Sequence, residues 1–272
     1  MAEQSDTILV ENYGAAKART KFFGDYHTHT VFSHGKGSIE DSVLRAAKLG
    51  LKEIGITDHG FNHMTYNVRR RELPRMRAQI NAMAVKYPQV RAYLGVEANI
   101  LSPKGDIDVK ESDKPMLDLI VCGYHKLVWH SPRASRYFWC NNLGGSSAAT
   151  VARNTDAYVN AIARNEIDIL SHPGNFCKCD IREVARACKQ FGTLFELNGK
   201  RILLSDDELA AAAQEGCTFI LNSDAHAPRH VGNFTEAWQR AERLSIPPAQ
   251  IANYGAFPVF RSRTGKKDRE RN

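Results

Sequence analysis

The amino-acid sequence predicts an α/β protein, a single domain in which seven strands close into a barrel. Strand and helix patterns alternate seven times along the 272 residues, and no change of composition marks a linker between domains. Barrels of this kind reach such a length undivided. Residues of metal-ligand type follow six of the seven strands, and they can converge only if the strands form a closed ring. An open doubly wound sheet would spread them too widely.

Each predicted element has its own local signal. Short apolar runs predict strands from Gly24 onward and over 53–57, 91–96, 117–123, 167–170, 193–197 and 217–221. Apolar residues at helical spacing predict helices over 38–49, 74–86, 148–164, 181–191, 206–215 and 233–244. This alternation implies parallel strands joined by right-handed crossovers.

The stretch 126–147 interrupts the alternation. It is rich in Gly, Ser and Asn and contains Trp129, Phe138 and Trp139, and we predict that it is irregular. Long loops within compact domains are usually functional or disordered, and the aromatic content argues against disorder. We therefore expect a lid or pocket wall here, with ordinary surface packing as the alternative.

Composition and charge are ordinary for a globular protein. Hydrophobic residues make up 43% of the chain and charged residues 25%, and the net charge is +7. We expect 1–21 to be an N-terminal extension and the basic stretch 261–272 to be a flexible, solvated tail. Positive charge in a cleft would favour an anionic substrate. The sequence shows no platform of aromatic and basic residues, so we do not expect nucleic acid as a partner. It gives no indication of oligomeric state.

The six cysteines are scattered along a chain without an apolar leader or a stretch long enough to span a bilayer. These features predict a cytoplasmic protein with reduced thiols and no membrane partner. The spacing of Cys177 and Cys179 is unusual for a metal or redox pair, and no second pair completes a site.

The first metal-type motif is the pair His27 and His29. Alternate side chains of an extended strand share a face, so the two imidazoles point the same way. An isolated pair of this kind is more often structural than functional. Later strands change that balance, because Glu97, Asp224 and further histidines follow them.

Seven of the ten histidines lie at strand ends or directly after the first strand. With the two acids they make nine candidate metal ligands: His27, His29, His34, His59, Glu97, His125, His172, Asp224 and His226. Nine ligands exceed the four that zinc usually takes, so two or three ions are implied. The mixture of nitrogen and oxygen suits zinc, manganese or iron and disfavours calcium or magnesium. We expect His63, His130 and His230 to lie at the surface or behind the ligands.

Four motifs resemble those of the polymerase and histidinol phosphatase (PHP) superfamily. They are Asp25-Tyr26-His27-Thr28-His29, Thr57-Asp58-His59-Gly60, Ser171-His172-Pro173 and Asn222-Ser223-Asp224-Ala225-His226. The resemblance extends from about Gly24 to Leu244 and is to the stand-alone phosphatases with a trinuclear zinc site. It implies a distorted, TIM-like (β/α)7 barrel and a PHP metal-dependent phosphoesterase domain over 22–260.

The resemblance also implies a distribution of three divalent ions, zinc before manganese or iron. The first would be held by His27, His29, Glu97 and Asp224, the second by His34 and His59 with Glu97 bridging, and the third by His125, His172 and His226. We expect Glu97, Asp224 and His125 to be catalytic. Water on such ions would be activated as hydroxide for in-line attack on phosphorus.

Residues beyond the sixth strand are the predicted substrate contacts. Arg201 and Lys200 are basic candidates for a phosphate, with Asn198 beside them, although an exposed solvated pair is an equal alternative for the two cations. For Asp58 we expect a carboxylate that orients a metal-binding histidine, with a simple turn residue as the alternative.

Together these features predict a metal-dependent phosphatase, a hydrolase acting on a small phosphorylated substrate, a phosphomonoester. A histidinol-phosphate phosphatase is a narrower alternative within this class. A phosphodiesterase or exonuclease acting on nucleic acid is another enzyme alternative. A metal-binding accessory module without catalysis is an alternative from a different class, and the full ligand set argues against it.

Overall fold

The computed structural model describes residues 21–263, and they form one sheet of seven parallel strands in the order β1 to β7. The strands are β1 (Gly24–Asp25), β2 (Glu53–Ile56), β3 (Arg91–Asn99), β4 (Leu119–Gly123), β5 (Ile169–Leu170), β6 (Leu194–Asn198) and β7 (Phe219–Asn222). Every neighbouring pair is parallel. The predicted strand order and direction are confirmed.

The segments that follow β1 and β7 bring the two ends of the sheet together. Thr28 forms a parallel bridge with Ala225, and the backbone N–H of His29 donates to the carbonyl of Ala225 at 2.8 Å. The buried carboxylate of Asp25 accepts hydrogen bonds from the backbone N–H and the hydroxyl of Ser223, at 3.1 and 2.5 Å. The sheet is therefore a nearly closed, distorted (β/α)7 barrel in a single α/β domain, which confirms the predicted fold class.

Seven α-helices surround the barrel in the described part of the chain. They are α1 (Ile39–Lys48), α2 (Leu73–Lys86), α3 (Ser135–Asn142), α4 (Ala148–Arg164), α5 (Ile181–Phe191), α6 (Asp206–Gln214) and α7 (Thr235–Arg243). Their ends follow local chemistry: Ser38 forms a capping box with Asp41 before α1, and Gly192 ends α5 with a φ of 73°. Six of the seven were predicted within two residues at each end.

The helix α3 was not predicted, because 126–147 was expected to be irregular throughout. Tyr137 and Phe138 on this helix are buried, and Tyr137 packs edge-on against Tyr124 at 5.6 Å between ring centroids. The side-chain amides of Asn141 and Asn154 form reciprocal hydrogen bonds of 2.9 and 2.8 Å, which tie α3 to α4. Tertiary packing thus stabilises a helix in an aromatic sequence whose own helical tendency is weak.

The core has two parts. The larger fills the space between the sheet and the helices. A smaller cluster lies inside the barrel and includes Tyr26, Tyr93 and Phe260. Both tyrosine hydroxyls donate to the buried carboxylate of Glu53 at 2.7 Å, and Phe260 packs edge-on against Tyr26. This arrangement fills the barrel near the start of β2, so the opposite end is left for the polar site.

Several predictions concern the ends of the chain. The predicted extension 1–21 and tail 261–272 fall largely on residues 1–20 and 264–272, which lie outside the described residues, so those domain boundaries stay predictions. Within residues 21–263 no helix has the length and apolar character needed to cross a bilayer. The six cysteines carry free thiols, and five of them are buried.

Candidate metal centre

The predicted ligands meet at the C-terminal ends of the strands, around the carboxylate of Glu97. Glu97 lies within β3 rather than just after it, and its side chain is fully buried. Five imidazole nitrogens lie between 2.8 and 3.6 Å from its oxygens, those of His27, His29, His59, His125 and His172. A hydrogen bond between a histidine and a carboxylate needs one imidazole, whereas five surround this carboxylate.

Asp224 forms a second acidic point of the cluster. Its Oδ1 lies 3.2 Å from His29 Nε2, 3.8 Å from His27 Nε2 and 3.3 Å from His226 Nδ1. The backbone of Asp224 has a φ of 49° and that of His172 a φ of 29°. Residues other than glycine rarely adopt such backbone angles, and backbone strain of this kind is concentrated at functional sites.

His34 and His226 complete the cluster on its outer side. The ring of His34 stacks on that of His59 with centroids 4.8 Å apart, and it meets the ring of His226 edge-on at 4.3 Å. His226 is also 4.3 Å from His29. All nine predicted ligands are thus brought into one contiguous cluster.

The grouping of these ligands differs from the predicted one. Three sets of ligand atoms lie within 4.8 Å of one another in the described chain, and they are His27 with His29 and Asp224, His59 with Glu97 and His125, and His29 with His59 and His226. His226 therefore lies beside His29 and His34, not with His125 and His172 as predicted. The reason is barrel closure, since the loop after β7 pairs with the loop after β1 through Lys36 N–H and the His226 carbonyl at 2.8 Å.

Several nitrogen and carboxylate atoms of the cluster are sealed from solvent without a well-aligned hydrogen bond in the described structure, although His59 Nδ1 lies 2.9 Å from Glu97 Oε2 and His125 Nε2 lies 3.1 Å from Glu97 Oε1. They are His29 Nδ1, His34 Nδ1, His59 Nδ1, Glu97 Oε2, His125 Nε2 and His172 Nδ1. Burying a polar atom without a partner costs about 1–3 kcal/mol, so natural proteins avoid such concentrations. His59 Nδ1 and His125 Nε2 face the carboxylate of Glu97, and a divalent cation would satisfy the lone pairs of these atoms. The donor set suits zinc or a similar transition metal. The residues present therefore fit a metal centre.

The two acids of the cluster are held in the ionised form. Burial alone would raise the pKa of Glu97, but His125 and His27 outweigh it and hold the pKa well below its usual range. Burial also opposes ionisation of Asp224, and His27 and His29 likewise keep its pKa well below the ordinary value. Both carboxylates are therefore anionic at neutral pH, the state in which they bind cations.

Most of the histidines are held neutral. Burial lowers the pKa of His59 to about 3, although Glu97 partly opposes this, and burial together with His226 lowers the pKa of His34 to about 4. His27 and His172 differ. Burial lowers the pKa of His27, but Glu196 and Glu97 outweigh burial and raise the pKa well above the ordinary value. Burial also lowers the pKa of His172, and the contact with Glu97 outweighs it and raises the pKa. A neutral imidazole offers a lone pair to a metal, so the neutral histidines are prepared for coordination.

Glu196 and Asn99 support the ligands, and the sequence prediction missed both. Glu196 in β6 is buried, and its Oε1 lies 2.7 Å from His27 Nδ1. The side-chain oxygen of Asn99 lies 2.8 Å from His125 Nδ1, while the Asn99 amide donates to Asp108 at 2.6 Å. Such partners fix the ring orientation of metal-binding histidines. A single acid inside the apolar run of β6 is the signal that could have indicated Glu196.

Asp58 does not orient a histidine, so that prediction was wrong. Its carboxylate accepts hydrogen bonds from the backbone N–H and hydroxyl of Thr30, at 2.8 and 2.7 Å, and from the hydroxyl of Ser33 at 2.5 Å. These three bonds brace the turn that precedes His34. Asp58 therefore acts on the ligand set through the backbone that carries His34.

The predicted substrate contacts lie at one side of the cluster. Lys200 Nζ is 3.1 Å from His226 Nδ1 and 3.6 Å from Asp224 Oδ2, with about half of its side chain exposed. Asn198 is buried, and its side-chain oxygen accepts hydrogen bonds from the backbone N–H groups of Lys200 and Arg201 at 2.9 and 3.1 Å. Arg201 lines a small pocket together with His172.

The family model described as PHP domain matches residues 25–245, and the chain belongs to this family, as predicted. A probable phosphatase of Shewanella sp. (strain MR-4) is 30% identical over 244 residues, covering 84% of this chain and 86% of that protein. A probable phosphatase of Edwardsiella ictaluri (strain 93-146) is 31% identical over 244 residues, covering 84% of this chain and 89% of that protein.

The fold is also similar to a solved structure. The crystal structure of histidinol phosphate phosphatase from Lactococcus lactis subsp. lactis, complexed with zinc, L-histidinol and phosphate, has a TM-score of 0.53 and 15% sequence identity. The match covers 83% of this chain and 92% of that one. At this identity the likeness concerns the fold alone.

Proposed function

We propose that this protein is a metal-dependent phosphatase that hydrolyses a small phosphomonoester with water. The observation that carries the proposal is the buried cluster around Glu97, in which histidine nitrogens surround an ionised carboxylate and several of these atoms form no well-aligned hydrogen bond. The names of the curated relatives, probable phosphatases, support the same class of reaction.

The cluster has enough ligands for three divalent ions, with zinc as the first choice and manganese or iron as alternatives. The close approach of ligand atoms favours His27, His29 and Asp224 around one ion. The ring distances among His34, His59 and His226 favour these three around another. Glu97 with His125 and His172 would hold the third, since both of these histidines lie within 3.1 Å of Glu97 Oε1. Bound divalent ions lower the pKa of a coordinated water and stabilise charge on phosphate oxygens.

The residues around the cluster would bind and orient the ester. Lys200 carries a positive charge at the exposed side of the site, where a phosphate dianion can enter, and Arg201 lies next to it. Asn198 holds the backbone of both residues, so its effect on the substrate would be exerted through their position. Fixed cationic groups of this kind stabilise charge on a transferring phosphoryl group.

The test is phosphate release from a panel of phosphomonoesters that includes histidinol phosphate, sugar phosphates and nucleoside monophosphates. We expect chelation to abolish turnover and added zinc or manganese to restore it. The double variant His27→Ala, Asp224→Ala should show no turnover even when metal is supplied. Normal turnover in that variant would contradict the proposal, and metal-loaded protein inert toward the whole panel would favour an accessory metal-binding role.

Release of mononucleotides from DNA is the comparison that separates the phosphodiesterase alternative. We expect this release to be slow relative to phosphomonoester turnover, because no aromatic-basic platform accompanies the site. Comparable rates on DNA would favour the nuclease instead.

A further inference from the structure

His63 borders the candidate metal centre without belonging to any of its ligand groups in the described chain. Its ring centroid lies 5.4 Å from that of His59 and 6.3 Å from that of His125. The side chain is only 7% exposed. A buried histidine next to the ligands, but outside their coordinating distances, is well placed to contact a molecule bound at the centre.

The turn that follows His63 fixes which ring nitrogen carries the proton. His63 Nδ1 lies 3.3 Å from the backbone nitrogen of Thr65 and 3.2 Å from that of Tyr66, and both N–H groups donate to it. A nitrogen that accepts hydrogen bonds carries no proton, so the proton of the neutral ring is on Nε2. His63 is thus an uncharged hydrogen-bond donor through Nε2.

A short ladder between two loops holds His63 in place. The loop after β2 and the loop after β4 pair in antiparallel fashion at His63 and Val128. The backbone N–H of Met64 donates to the Leu127 carbonyl, at 2.8 Å. His63 and Val128 are both buried, whereas Met64 and Leu127 are exposed, so the first pair occupies the inner face of the ladder. His63 therefore faces the C-terminal end of the barrel on a braced backbone.

The Nε2 atom has no hydrogen-bond partner among the described residues, and it is not one of the sealed, unpartnered atoms of the site. It is therefore not fully shielded, on a ring that lies beside those of His59 and His125. We propose that His63 Nε2–H donates a hydrogen bond to a non-bridging oxygen of the substrate phosphate. This role rests on the proposed phosphatase function. A phosphate needs several donors, and an uncharged donor adds one without the repulsion that another cation would meet beside divalent ions.

Two substitutions distinguish the hydrogen-bonding roles of the two ring nitrogens. In His63→Gln the amide nitrogen reaches the place of Nε2 and can still donate, whereas in His63→Asn the amide oxygen reaches the place of Nδ1 and can still accept from Thr65 and Tyr66. We expect His63→Gln to keep kcat/KM within about threefold of wild type. His63→Asn should lower kcat/KM by about tenfold or more and weaken competitive inhibition by inorganic phosphate by a similar factor.

The control is His130→Asn, which changes a histidine in the segment after β4. The ring of His130 stacks on Phe138 at 4.2 Å, and we expect its loss to leave kcat/KM unchanged. The metal content of every variant is measured as well. Full activity in His63→Asn, or equal losses in both His63 variants, would overturn the proposed donor. Loss of a metal ion in both would also overturn it, because His63 would then be a ligand. Wild-type protein without phosphatase activity would instead contradict the proposed function itself.

Discussion

His27 Nδ1 lies 2.7 Å from Glu196 Oε1, and both side chains are fully shielded from solvent. Glu196 also accepts hydrogen bonds from the side chains of Asn198 and Asn222 and from the backbone N–H of His172. One acid in β6 therefore orients a ligand that follows β1 and the backbone of a ligand that follows β5. The candidate metal centre depends on this acid although the acid is not one of its ligands.

Replacing Glu196 by Gln should weaken the metal centre. The amide nitrogen of Gln would face donors that the carboxylate accepts, so the orientation of His27 would be lost. Outer partners of metal-binding histidines typically contribute 10–100-fold to affinity. We expect a loss of that size in metal affinity, measured by competition with a chelator, with turnover recovering at high metal concentration. Glu53→Gln, which changes a buried acid elsewhere in the barrel, should leave metal affinity unchanged.

Metal content should follow the grouping proposed for the three ions. We expect His34→Ala and His226→Ala each to lose one ion per chain, and the double variant to lose the same single ion, because both rings would hold it. The double variant His172→Ala, His226→Ala should lose two. Elemental analysis of the purified proteins measures this. If that second double variant lost only one ion, the grouping predicted from sequence would be correct and the present one wrong.

Lys200→Ala should impair binding of the substrate phosphate. Lys200 Nζ lies near His226 and Asp224 at the exposed side of the cluster, where it can pair with an incoming dianion. Because hydrogen bonds to charged groups are worth about 1.5–3 kcal/mol, we expect kcat/KM to fall about tenfold or more, chiefly through KM. Lys189→Ala on α5 is the matched surface control. An unchanged KM in Lys200→Ala would show that Lys200 is only a solvated cation.

Asp168 should make stability depend on pH at the end of the barrel away from the metal centre. Burial raises its pKa to about 6, although hydrogen bonds from Ser262 and the backbone N–H of Ile120 partly oppose this. The folded state thus holds this proton more tightly than the unfolded chain, in which the pKa is near 3.8. The stabilisation is present below about pH 4 and is lost as the pH rises through 6.

Asp168→Asn removes this titration. The difference in unfolding free energy between wild type and variant should therefore shift by about 2 kcal/mol between pH 4 and pH 7, in the direction that disfavours wild type at the higher pH. Denaturant titrations at several pH values measure the difference. Parallel curves for the two proteins would contradict the raised pKa.

Much of the fold was predictable because local signals agree with the tertiary structure. Ile181–Phe191 has a capping Asp180 and a left-handed Gly192, so sequence alone defines both of its ends. The helix Ser135–Asn142 has no side-chain cap and consists largely of aromatic and polar residues. It is stabilised by contacts with Tyr124 and Asn154, which lie outside the helix in the sequence. Local sequence patterns do not reveal such contacts.

The convergence of the nine candidate ligands was predictable from sequence, whereas their grouping was not. The histidines after β1 occur at alternate positions, and further histidines and acids occur at the ends of other strands. Both patterns can be recognised in the sequence. Which ligands share an ion depends on how the ring closes, and closure brings His226 next to His34. Glu196 belongs to no spacing pattern, so its contact with His27 became visible only in three dimensions.

The most direct test of the metal centre is a crystal structure of the protein soaked with zinc and inorganic phosphate, with anomalous data collected above and below the zinc edge. We predict three anomalous peaks, one for each ligand group, and phosphate density that contacts Lys200. Absence of anomalous density among the histidines around Glu97, with their nitrogens hydrogen-bonded only to one another and to the two acids, would contradict the account.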